Sequence, residues 1–70
     1  MRITIEDLNK DIESLKRMCD DDEAAHGFED AIRGRILESF SKYDYTPQEI
    51  KDISNLALST SDLDFARWCA

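Results

Sequence analysis

Apolar residues early in the chain recur at Ile5, Leu8, Ile12, Leu15, Met18 and Cys19, and mostly charged or polar residues fill the gaps. Steps of three and four put such residues on one helical face, here a narrow stripe. The pattern predicts a helix over 5–19. Thr4 is placed to cap it, Glu6 and Asp7 face the positive end of the helix dipole, and Ile3 and Leu8 are spaced as a hydrophobic staple. As a heptad seam the stripe is short, barely two heptads, and falls below what a coiled coil demands.

A broader apolar face follows at Ala24, Ala25, Phe28, Ala31, Ile32, Ile36, Leu37 and Phe40. It predicts a helix over 21–42, expected to be the central and most buried element. Asp20-Asp21-Asp22-Glu23 separates it from the first helix. Asp caps helices better than it fills them, but no Gly or Pro enforces the break, so one bent helix is a second solution. Gly27 and Gly34 lie seven apart on one face. Each costs about 1 kcal/mol against alanine in a helix interior. They mark either close approach of another backbone or a tolerated weakness.

Tyr45-Thr46-Pro47-Gln48-Glu49-Ile50 holds the sharpest local signal. Thr46 caps, Pro47 takes the first helical position, Glu49 completes a capping box, and Tyr45 and Ile50 are spaced as a staple. A helix over 47–58 follows, with Ile50, Ile53, Leu56 and Ala57 inward. Ser61 and Asp64 form another capping-box pair before a last predicted helix, 62–69, bearing Leu63, Phe65, Ala66, Trp68 and Cys69. No β-alternation competes. The expectation is one all-α domain over 1–70, a small bundle of three to four helices.

At 70 residues the core is thin, since a domain this small buries only about 60% of its unfolded surface. Oligomerisation or a partner is the expected supplement. The formal net charge is −7, and its distribution is uneven. Residues 20–31 hold Asp20, Asp21, Asp22, Glu23, Glu29 and Asp30 without a Lys or Arg. Such a balance argues against binding a phosphate backbone and favours a partner with a basic surface. No stretch approaches the roughly 20 apolar residues of a membrane span. With no apolar leader either, a cytoplasmic protein with reduced thiols is expected.

His26, Glu29 and Asp30 place imidazole and carboxylates within one helical turn. That arrangement could orient a base or half a metal site, but it equally suits a structural or recognition cluster, which is the reading adopted. Cys19, His26 and Cys69 would make three zinc ligands only if the chain end folded back, and no C-x-x-C pair supports it. The acidic run lacks the alternating acids and sixth-position glycine of a calcium loop. Neither glycine belongs to a phosphate-binding motif. Arg33, Arg35 and Lys42 form the only basic patch. Catalytic residues, metals and cofactors are therefore assigned to none of these positions.

The chain end, Leu63-Asp64-Phe65-Ala66-Arg67-Trp68-Cys69-Ala70, concentrates aromatic bulk. Burying Arg67 requires a carboxylate, and Glu29 or Asp30 could supply it. Phe65 and Trp68 are expected against the second helix near Phe28 and Ile32, with Arg67 reaching the His26 cluster. Alternatively Trp68 anchors an interface, as Trp and Arg often do.

Ala25-His26, Glu29-Asp30 and this closing segment together resemble small bacteriophage or prophage-encoded proteins of similar length and unassigned function. The resemblance spans about residues 21–70 and implies a bacterial cytoplasm and an accessory role. The leading expectation is a non-enzymatic protein that binds a host or phage protein. Its surface would come from Asp20, Asp21 and Asp22 or from the Ile5, Leu8, Ile12 and Leu15 stripe. A self-assembling module holding a ligand between chains comes second, and a minimal acid–base or metal enzyme using His26 and Asp30 comes third.

Overall fold

The computed structural model describes residues 2–63 and Phe65. Three helices follow in order, α1 Ile5–Arg17, α2 Asp22–Lys42 and α3 Pro47–Leu58, closed by a 3-10 turn over Ser59–Asp62. No strand occurs among the described residues, and the expected all-α bundle is the architecture found. Thr4 and Thr46 cap α1 and α3 as the sequence predicts, and the cap of α2 falls on Asp21 within the acidic run. Thr4 and Asp7 exchange reciprocal bonds at the start of α1, as Thr46 and Glu49 do at α3. The Asp21 side chain accepts the Ala24 N–H at 3.2 Å.

That Asp21 cap, with extended φ and ψ of −122° and 95°, separates the first two helices and rules out a single bent one. α1 ends at Arg17 rather than Cys19, because the chain turns back there: Met18 N–H donates to Leu15 and Asp21 N–H to Met18. Met18 and Cys19 still pack against the core from the turn.

The core comprises Ile3, Leu8, Ile12, Leu15, Ala25, Ile32, Ile36, Ile53 and Phe65. α1 packs on both other helices, whereas α2 and α3 touch each other least. α1 is therefore the element that bridges the other two, while α2, expected to be central and most buried, supplies the larger set of buried positions. One side of a helix can enter a core at a time, and the α2 face is too wide to enter whole. Its buried arc includes Glu29 and Ser39, while Leu37 is left outside.

The segment ahead of α1 is tied across the loop joining α2 to α3. Ile3 N–H donates to the buried Ser39 Oγ at 3.0 Å, and Tyr45 Oη donates to the Ile3 carbonyl at 2.8 Å. Arg2 lies 4.0 Å over the Tyr45 ring, bonds Glu49 at 2.8 Å and also reaches the Asp44 carbonyl. Tyr45 meets Phe40 edge-on with centroids 5.0 Å apart. Ile50, expected inward as the staple partner of Tyr45, is instead exposed.

The last expected helix does not begin at residue 62. Leu63 is extended, with φ −74° and ψ 141°. Ahead of it, Ser59 and Thr60 hydroxyls donate to the carbonyls of Leu56 and Ala57. Such three-back bonds accompany a chain tightened into a 3-10 turn rather than a new α-helix. The Ser61–Asp64 box and the placements proposed for Ala66, Arg67, Trp68 and Cys69 lie outside the described residues. Phe65 is buried in the cluster that contains Ile32, with Phe28 packed against it, as expected for that residue. Both glycines are exposed, and a Cβ on either would meet nothing within 4 Å. They are tolerated weaknesses, not close contacts.

Candidate functional site

The surfaces that the sequence nominated are mostly engaged in the fold itself. Leu8, Ile12 and Leu15 are buried within the chain, so the α1 stripe cannot serve as a docking surface; of that set only Ile5 is exposed. Asp20, Asp21 and Asp22 are exposed, but Asp21 is the cap of α2 and Asp22 its first residue. Acids there complement the helix dipole.

The His26 cluster divides. Successive helical positions are about 100° apart, so Glu29 and Asp30 leave α2 in different directions. His26 Nδ1 lies 3.8 Å from Asp30 Oδ2, and the Asp30 side chain is 64% exposed. The Glu29 side chain is only 2% exposed and faces Arg33 Nη2 at 3.6 Å. The cation expected beside Glu29 was Arg67, which falls outside the described residues along with Trp68; Arg33, one turn on, is the cation seen there. Among the described residues, no group of three or more His, Cys, Asp or Glu is placed to hold a metal ion. Cys19 is half-buried, its Sγ directed to the Leu15 carbonyl at 3.4 Å.

A different feature stands out between α2 and α3. Because those two helices meet least, an open groove of about 310 Å³ runs between them, lined by Arg33, Ile36, Leu37, Phe40, Ser54, Ala57 and Leu58. Positions 33, 36, 37 and 40 form one stripe of α2, and 54, 57 and 58 form one of α3, both at helical spacing. Ile36 is buried and makes part of the floor, whereas Leu37 and Leu58 stand on the rims at 69% and 63% exposure. Water meets large aliphatic side chains here on both sides of a concave apolar surface.

Arg33 is the one charged residue in that lining. Its side chain is 42% exposed, and Nη2 also donates to Thr60 Oγ1 at 3.2 Å. The guanidinium thus joins the buried Glu29, the 3-10 turn and one end of the groove.

A second hollow, about 280 Å³, is lined by Ile3, Arg35, Glu38, Ser39, Lys42 and Tyr43. Its cations are already matched. Arg35 bonds Asp11 of α1 at 2.6 Å, and Lys42 bonds Glu38 at 2.8 Å. The hydrogen bond and charge of Lys42 hold the Glu38 carboxyl below its usual range, and Glu38 in turn raises Lys42. A ligand would have to compete with those pairs.

Periodicity placed Leu37 on the apolar face of α2, where the structure leaves it exposed, and did not single out Leu58. The signal was present: Ile36 and Leu37 are adjacent, so both cannot face one core, and Leu58 lies past the inward arc of α3. No helix among the described residues is long and apolar enough to cross a membrane. Comparison with protein-family models, curated proteins and solved structures finds no match to this chain.

Proposed function

We propose that this chain is a non-enzymatic binding module whose α2–α3 groove receives an apolar segment of another protein. The supporting observation is the pair of leucines, 69% and 63% exposed, flanking a concave apolar floor on a chain with 36% charged residues. Contiguous apolar surface kept in water marks interaction sites far more often than isolated exposed leucines do. A phage-encoded accessory factor acting on a host or phage protein fits this reading, on the strength of the resemblance alone.

Photo-crosslinking tests it. A benzoylphenylalanine at position 37 or 58 should give protein adducts in cells expressing the chain. The same group at Lys10, on the outer face of α1, should give none. Equal adducts at all three positions, or none at 37 and 58, would remove the groove from the account. Adducts of doubled chain mass would assign it to self-assembly instead.

A further inference from the structure

We infer that the groove takes an amphipathic helix bearing a carboxylate beside two apolar anchors, and that Arg33 is the group that recognises the carboxylate. This rests on the groove being the docking surface. Residues 33–40 of α2 extend about 10 Å at 1.5 Å per residue, two helical turns. A helix laid over two turns presents anchors at i and i+3 or i+4. The volume of about 310 Å³ suits about two leucine-sized side chains between the Leu37 and Leu58 rims.

Charge then selects among helices. The chain carries −7 overall, yet its groove lining holds no carboxylate and has Arg33 at one end. Glu29 stays 3.6 Å from Nη2, too far for a hydrogen bond of normal geometry. Among the described residues the guanidinium contacts use only Nη2, and the N–H groups of Nη1 can donate a charge-assisted bond to a carboxylate. A second copy of the chain fits less well. It would bring an acid-free groove and a second Arg33 rather than a carboxylate, together with seven further negative charges.

The test uses the intact chain and labelled alanine-rich helical peptides with leucines at i and i+4. One turn further on the same face, the peptides carry Glu, Gln or Lys, and binding is read by fluorescence anisotropy. The Glu peptide should bind about tenfold more tightly than the Gln peptide, as one charge-assisted bond allows, and the Lys peptide most weakly. Leu37→Asp, at an exposed position, should abolish all binding while circular dichroism stays unchanged. Arg33→Gln should level the Glu and Gln peptides; if that variant does not fold, Arg33→Lys, which keeps a cation opposite Glu29, should shrink the difference.

Equal affinity for Glu, Gln and Lys peptides, still lost in Leu37→Asp, overturns the carboxylate preference and leaves the groove reading standing. Absence of binding by any peptide, or binding that survives Leu37→Asp, overturns the groove reading itself. A dimer seen by sedimentation and dissolved by Leu37→Asp overturns the foreign-helix proposal in favour of a second copy.

Discussion

The α1 stripe and the α2–α3 groove are made of the same material and meet opposite fates. Leu8, Ile12 and Leu15 disappear into the core, whereas Leu37 and Leu58 keep about two thirds of their surface in water. Periodicity describes the first as a thin stripe on a charged helix, which resembles a docking face. It describes Leu37 as one residue of a broad apolar face, which resembles core. The structure reverses both readings because α1 sits between its neighbours, while α2 and α3 barely close on each other. Apolar spacing identifies which residues share a face; only the packing of the other helices decides whether that face is covered.

Truncation of matched leucines should separate the two regions most strongly. Leu15→Ala removes a fully buried side chain and should lower unfolding free energy by about 2–5 kcal/mol, measured by urea denaturation. Leu37→Ala should stay within about 0.5 kcal/mol of the parent, as surface changes do. Comparable losses at both positions would mean that the groove is part of the core.

A smaller effect, opposite in sign, is expected on the exposed side of α2. Gly27→Ala and Gly34→Ala should each raise stability by about 0.4–1 kcal/mol, since a methyl group meets nothing there and the unfolded chain loses freedom. A loss of stability at Gly34 would indicate an unrecognised neighbour on the face next to Leu37.

The smallest effect sits at the cap of α3, away from both regions. The Thr46 backbone N–H chiefly, helped by the Thr46 hydroxyl and Arg2, holds the Glu49 carboxyl below its usual value. A carboxylate depressed in the folded state stabilises the protein at pH above its unfolded value of 4.5. That contribution fades as pH falls through the folded value. Thermal midpoints followed from neutral pH down past 4.5 should therefore decline less steeply in Glu49→Gln than in the parent. Parallel curves would contradict the cap as a titrating contact.

What the sequence made legible was local. The Thr4 cap and the Thr46–Glu49 box involve residues only three apart, and Pro47 acts within one turn, so no tertiary knowledge is required to place them. The tertiary consequences were not legible. Arg35 pairs with Asp11 on another helix, and Tyr45 turns to Ile3 and Phe40 rather than to a buried Ile50. His26, Glu29 and Asp30 looked like one cluster because sequence spacing groups them. Burial split them, sending Glu29 inward toward Arg33 and leaving Asp30 in solvent. The groove was hidden for the same reason: it lies between the two helices that meet least.

The contrast between covered and open leucines can be measured on one sample. With leucine methyls labelled in carbon-13, a soluble paramagnetic agent broadens each methyl according to its exposure. The account predicts strong broadening at Leu37 and Leu58 and protection at Leu8 and Leu15. Protection at Leu37 and Leu58 equal to that at Leu15, or strong broadening along α1, would contradict it.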